Sequence, residues 1–269
     1  MPNEDIGDDE AFRNLPNAVR LSWGKVKQPK RGPKGELSIP QIVEAAIAIA
    51  DRDGLGAVSM SRVAQSLGFT TMSLYRYVDS KDDLLVLMMD AACDIPLPPE
   101  RPDEDWRQEM RDYVNATIQF IRDHPWFVDI PITSVPLTPN HLRIVDWGLR
   151  TMRNLPLNGY EKMSFVLLLS GYARNVGIVL RDMDRALKAG TAPDSFSGRG
   201  YTKELKLLVG PDRYPYLHPL VQSGVYTEES AEGNTVGDDF LFGLERILDG
   251  IEVYLQGKQA EKPEPASGK

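Results

Sequence analysis

Cysteine is nearly absent from this chain: Cys93 is the single thiol in 269 residues. One thiol excludes any intrachain disulfide, so the fold must stand on its apolar core, as proteins of reducing compartments do. Cys93 itself reads as a small buried apolar residue. Histidine is almost as scarce. His124, His141 and His218 lie far apart and none neighbours the cysteine, which leaves no ligand spacing for a metal, and none is expected. Missing too are a nucleophile motif, a phosphate loop and a dinucleotide fingerprint; Gly198-Arg199-Gly200 lacks the strand that would give it meaning. No catalytic residue, enzyme activity or cofactor is therefore expected. Long apolar runs are wanting as well: the most apolar stretch, Phe165 to Leu180, is interrupted by Arg174 and Asn175 and is shorter than a bilayer requires. The acidic start, MPNEDIGDDE, lacks the charged-then-apolar order of a secretory signal. A cytoplasmic protein with no membrane partner is the expectation.

Positive charge is in overall deficit, the formal net charge being −8, and taken alone this argues against a nucleic-acid partner. Its distribution argues the other way. Between Arg20 and Gly35 stand Arg20, Lys25, Lys27, Lys30, Arg31 and Lys34 with no acid among them, so an acidic body carries a local basic arm. Gly32, Pro33 and Gly35 break that arm against helix, while flexible basic residues can follow phosphates or enter a minor groove without a fixed fold. Leu21 and Trp23 are placed to dock the arm on the body. Residues 1–37 are read as a disordered acidic tail followed by this arm.

What is present in strength is a helix-turn-helix pattern between Ser59 and Lys81. Val63, Ala64 and Leu67 give one apolar face to a short helix, Gly68 suits the turn, and Thr70 opens a second helix with Leu74 and Val78 inward. Off that core side lie Thr71, Met72, Ser73, Tyr75, Arg76 and Tyr77. Hydroxyls, an apolar tip and a guanidinium are groups that base edges and phosphates can use. A helix over 39–53 precedes the pair, with Pro40 in its first turn and Ile39, Ile42, Val43, Ala46, Ile47 and Ala50 as its stripe. A fourth begins at Ser80, which with Asp83 makes a capping box, and Lys81 sits at that N-terminus, where phosphate binding is favoured. Ile95-Pro96-Leu97-Pro98-Pro99 ends the first domain, residues 38–95.

This stretch resembles the TetR family of bacterial transcription regulators. The resemblance runs continuously over about 55 residues: the first helix, Gly54-Leu55, the helix-turn-helix, Leu74-Tyr75-Arg76-Tyr77-Val78, and Ser80-Lys81-Asp82-Asp83-Leu84-Leu85. Tyr77-Val78 stands where the family often has His-Phe. The resemblance implies DNA contacts at Ser59, Ser61, Arg62, Thr70, Thr71, Met72, Ser73, Tyr75, Arg76, Tyr77 and Lys81, to which the basic arm would add Lys30, Arg31 and Lys34. From Trp106 onward the chain looks like the regulatory domain of the tetracycline-repressor branch.

Residues 100–257 read as helices only, a regulatory and dimerisation domain, with 258–269 as a disordered tail. Stripes run along Trp106 to Ile121 and Leu142 to Met152, and the helix from Gly159 to Leu187 is apolar on almost every side, which calls for more than one neighbour. Gly171 and Gly177 in its interior each cost roughly 1 kcal/mol relative to Ala, a cost that close packing offsets. In the last helix, Leu241, Leu244, Leu248, Ile251 and Leu255 form one seam beside a second of Phe240, Ile247 and Tyr254. These two helices, with Gly171, Gly177 and the leucine seam, are the expected interface of a homodimer. Trp126, Phe127, His141, Trp147, Met152, Tyr172, Arg174 and Asn175 are the candidate contacts of a small ligand, since Arg174 and Asn175 on a buried helix need partners.

The expectation is an all-α, two-domain homodimer that binds a palindromic double-stranded operator as a transcription regulator, a repressor relieved by an apolar or amphipathic effector. Two other readings stay open at this point: a DNA-binding protein governed by no ligand, and a helical ligand-binding or catalytic protein whose hairpin is only structural.

Overall fold

The computed structural model describes residues 12, 14–26, 37–101, 105–132, 135–192, 198–224 and 236–260, the side chains of 198–202 and 236–238 excepted. Lys30, Arg31 and Lys34 lie outside the described residues. Among those described, every regular element is helical: α1 (Asn17–Ser22), α2 (Ile39–Asp53), α3 (Met60–Ser66), α4 (Thr71–Leu74), α5 (Lys81–Ala92), α6 (Trp106–Asp123), α7 (Pro139–Arg150), α8 (Gly159–Lys188), α9 (Gly198–Leu208), α10 (Leu217–Ser223) and α11 (Val236–Ala260).

Short polar residues start the helices of the N-terminal bundle by satisfying orphan N–H groups. Ser38 accepts from the Gln41 N–H at 3.4 Å, Ser59 from Arg62 at 3.2 Å, Thr70 from Ser73 at 3.3 Å and Ser80 from Asp83 at 3.0 Å. Between α3 and α4 the chain turns at Gly68 with φ +75°, a left-handed backbone that glycine adopts without steric cost. Ile42, Val43, Ala46, Ile49 and Ala50 of α2, Val63 and Ala64 of α3, Leu74, Val78, and Leu84, Leu87 and Met88 of α5 meet in one core. Ile49 is buried where Ile47 was expected; Ile47 packs on the rim.

The chain divides into two compact units, residues 1–153 and 154–269. Beyond the proline cluster at 95–99, α6 and α7 pack with the N-terminal bundle in the first unit. The reason lies in the ties between them. The carboxylate of Asp51, at the end of α2, accepts from Trp126 Nε1 at 2.6 Å and lies 2.9 Å from His124 Nδ1. Asp90 on α5 accepts from the Asn140 N–H at 2.8 Å and so caps α7, whose Thr138 makes no capping bond itself. Arg150 bonds the Pro98 carbonyl at 2.8 Å.

Inside the span expected to be disordered, Asn17–Ser22 is a helix with Ala18 and Val19 buried. Trp23 does dock, donating to the Leu137 carbonyl at 2.8 Å.

In the second unit α8 and α11 run antiparallel. Tyr254 and Lys258 reach Glu161 at one end, each at 2.6 Å, and Tyr172 donates to the Phe240 carbonyl toward the other. Helix α11 continues to Ala260 because Lys258 is held there, so 258–260 are helix rather than tail. At 30 unbroken residues, α8 is long and apolar enough by length and composition to cross a membrane, which corrects the argument from the shorter apolar run.

Candidate nucleic-acid interface

The surface offered by α3, the Gly68 turn and α4 follows from what the core takes inward. Leu74 and Val78 are fully enclosed, which turns Met72, Tyr75 and Arg76 outward; Met72 is 72% and Tyr75 42% exposed. Helix α4 proper is one turn, Thr71–Leu74, and the chain continues through turns to Val78, where a longer recognition helix was expected. Thr71 and Ser73 are half-buried, and Tyr77 packs its ring on the core, so Tyr77 offers little beyond its tip.

The hydroxyls have local work. Thr70 Oγ1 lies 2.9 Å from Ser73 Oγ and Ser59 Oγ lies 3.2 Å from Ser61 Oγ. Each of these caps keeps spare lone pairs or protons for a phosphate, because a hydroxyl both donates and accepts. Among the cations the structure distinguishes two kinds. Arg62 is paired with Asp53, which also takes Arg52 at 2.8 Å; the Arg52 hydrogen bond foremost, and Arg62 with it, holds the Asp53 carboxyl below its ordinary range. Arg76 and Lys81 are exposed and make no ion pair among the described residues. Among the described residues no group of His, Cys, Asp and Glu is arranged to hold a metal.

The candidate ligand contacts separate on inspection. Trp126, Phe127 and His141 come together as an aromatic cluster, ring centroids 6.1 Å apart from Trp126 to Phe127 and from Phe127 to His141. Burial pushes the His141 imidazole below its usual pKa, partly opposed by Asp90. Trp147 meets Tyr113 edge-on at 5.3 Å. Trp126 and Met152 are wholly enclosed by protein, and Trp126 is bonded to Asp51. In the second unit Tyr172 is engaged with Phe240, Arg174 is half-buried and Asn175 is exposed rather than buried. Asp51, which orders Trp126 and His124, carried no signal in the sequence: an acid at a helix end looks like any solvated charge.

The dimer seam is corrected by burial. Leu244, Leu248, Ile251 and Leu255 are all buried within the chain itself and have no surface left for a partner. Leu241 alone of that seam is exposed. Gly177 is buried, whereas above Gly171 there is open space in the single chain. Other uncovered apolar side chains are Tyr160, Met163, Leu167, Leu168, Val179 and Leu187 on α8 and, beside Leu241, Phe242, Val253 and Tyr254 on α11.

Two family models match the sequence: one described as bacterial regulatory proteins, tetR family, over residues 42–88, and one described as tetracyclin repressor-like, C-terminal domain, over 98–255. The HTH-type transcriptional repressor DrrR1 of Streptomyces coeruleorubidus is 32% identical over 255 residues, 92% of this chain and 89% of its own. The TetR family protein ActR of Streptomyces coelicolor, solved in complex with actinorhodin, is 26% identical with a TM-score of 0.66, covering 82% of this chain and 99% of that one. The same protein in complex with (S)-DNPA gives 25% identity and a TM-score of 0.63, covering 81% and 98%.

Proposed function

This chain belongs to the tetR family of bacterial regulatory proteins, and from that premise we propose how its parts divide the work of a DNA-binding transcriptional repressor released by a small molecule. It is a regulator and not an enzyme. Met72, Tyr75 and Arg76 enter the major groove, with Thr71 and Ser73 at the edge of the contact. Lys81 and the hydroxyls of Ser59, Ser61 and Thr70 hold phosphates, and Lys30, Arg31 and Lys34 add contacts from the arm. The observation that carries this reading is the outward set of Met72, Tyr75, Arg76 and Lys81, apolar and hydroxylic tips beside two exposed cations, on a turn whose inward residues are fully spent on the core. Arg62, held by Asp53, contributes through position more than through free charge.

Two copies pair through the uncovered stripes of α8 and α11. A two-fold axis then asks for a palindromic operator whose half-sites lie about one DNA turn apart, or a multiple of it. An apolar or amphipathic ligand is the effector, supported by the small molecules held in the ActR structures; Phe127, His141 and Trp147 of the first unit are the contacts we assign. Release demands that the ligand prefer the DNA-incompetent arrangement by about 100-fold or more.

The direct test is binding to DNA from upstream of the chain's own gene across a salt series. Tyr75→Ala and Arg76→Ala are expected to cost about 1–3 kcal/mol and relax base preference; Lys81→Ala is expected to weaken all sequences alike and lower the salt slope by about one. Wild-type affinity in all three variants rejects the assignment.

A further inference from the structure

Helix α1 lies outside both stretches that match the family models, yet the bundle makes room for it. A six-residue helix has no stability of its own in water, so its presence reflects what it packs against. Ala18 and Val19 are buried, Leu21 rests on the bundle core, and the helix lies along α5. At its start Asn17 Nδ2 donates to Asp79 Oδ2 at 2.9 Å. At its end Trp23 is fixed to the Leu137 carbonyl.

Asp79 stands in the connection that joins α4 to α5, directly before Ser80 and Lys81. In that connection Tyr77 and Val78 pack on the core and their N–H groups bond the Leu74 carbonyl, while the exposed Asp79 beyond them is tied to α1 through Asn17. We propose that α1 is a positioning element of the DNA-reading surface, in which Asn17 holds Asp79 and thereby sets the placement of Tyr75, Arg76 and Lys81. Asn17 is a positioning residue and touches no DNA. The proposal rests on the DNA-binding reading above. Its physical content is entropic: a connection already ordered in the free protein loses less freedom when DNA binds, and the saving appears as affinity. Asn17 is uncharged, so its effect leaves the number of displaced counterions alone.

The full chain is compared as wild type, Asn17→Ala, and the exchanged pair Asn17→Asp with Asp79→Asn, which rebuilds the hydrogen bond with donor and acceptor reversed and the total charge kept. Binding to a duplex from upstream of the gene is measured between 50 and 200 mM salt, with Lys81→Ala as the variant whose slope must fall. Asn17→Ala is expected to lower affinity roughly two- to ten-fold, the reach of one hydrogen bond, with an unchanged salt slope, and the exchanged pair to recover it. In parallel, amide exchange over residues 71–79 of the free protein is expected to quicken in Asn17→Ala and return in the exchanged pair. Unchanged affinity, a loss that comes with a lowered slope, or an exchanged pair that recovers neither signal overturns the proposal. Should the wild type retain no DNA, it is the DNA-binding reading that fails, and the amide exchange still decides whether Asn17 orders the connection.

Discussion

The carboxylate of Glu161 closes the first turn of α8 from two directions. It accepts the Asn158 N–H at 2.7 Å while Asn158 accepts the Glu161 N–H at 2.9 Å, and it draws in Lys258 and Tyr254 from α11. Lys258 first, then the Tyr254 hydroxyl and the Asn158 N–H, hold its pKa down at about 2 against an ordinary 4.5. A lowered carboxylate pKa means the unfolded chain binds the proton more readily. The stabilisation is therefore complete above about pH 4.5 and drains away as the pH falls toward 2. Urea midpoints of the wild type and Glu161→Gln, compared from pH 6 down to pH 3, are expected to differ most at the upper end and to converge as acid is added; a gap that widens on acidification contradicts the account. Asn158 with Glu161 three residues on is a pattern a reader of sequence can find, but the arrival of Lys258 from 97 residues away is not. The same divide runs through the DNA-type surface. Ser38, Ser59, Thr70 and Ser80 mark helix starts because each caps locally, and Met72, Tyr75 and Arg76 follow from the period of Leu74 and Val78. Asp51 and Asn17 act through distant partners and leave no local trace.

At the level of elements, α11 shows how a helix with two apolar seams chooses. Periodicity set out both seams and could not rank them, since each satisfies the same spacing; packing buries Leu244, Leu248, Ile251 and Leu255 of the first and leaves Phe240 and Ile247 of the second half-buried and Tyr254 exposed. Gly243 is part of that choice. A Cβ built there lies 2.6 Å from the Tyr172 hydroxyl and 3.3 Å from its ring, and Tyr172 is in turn bonded to the Phe240 carbonyl. Glycine is kept because the ring of α8 crosses the backbone of α11 at this point. Gly243→Ala gains up to about 1 kcal/mol of helix propensity but displaces a bonded phenol worth about 1–3 kcal/mol, so net destabilisation is expected. In a Tyr172→Phe background, with the nearest clashing atom gone, the same change is expected to cost less, a non-additivity that thermal unfolding of the four proteins resolves. Equal costs in both backgrounds refute the contact. Helix α1 escaped the sequence reading for a related reason: a buried pair, Ala18-Val19, between an acidic and a basic stretch is too short to show a period.

For the molecule as a whole, the proposed pairing of two copies rests on the uncovered stripes of α8 and α11. Leu167 is 75% and Val253 66% exposed in the single chain, and Phe242 and Tyr160 are exposed as well, apolar surface of the kind that a partner covers. The wild type is expected to sediment as a dimer at micromolar concentration. Leu167→Asp and Val253→Asp are expected to give folded monomers with unchanged helical signal, whereas Leu248→Asp, which places a charge in the core, is expected to unfold the second unit rather than separate two copies. A wild-type monomer removes the dimer and, with it, the palindrome.

Cys93 is buried directly after α5, as its C-cap, and burial foremost, with the Asp90 charge, pushes its thiol up to about 12. At pH 8 the reactive thiolate is therefore scarce there. The protein thus comes with a silent background for labelling chemistry: a cysteine placed at exposed Asn115 would be the sole site a maleimide dye finds, and in a two-fold pair the two dyes would read out a single distance.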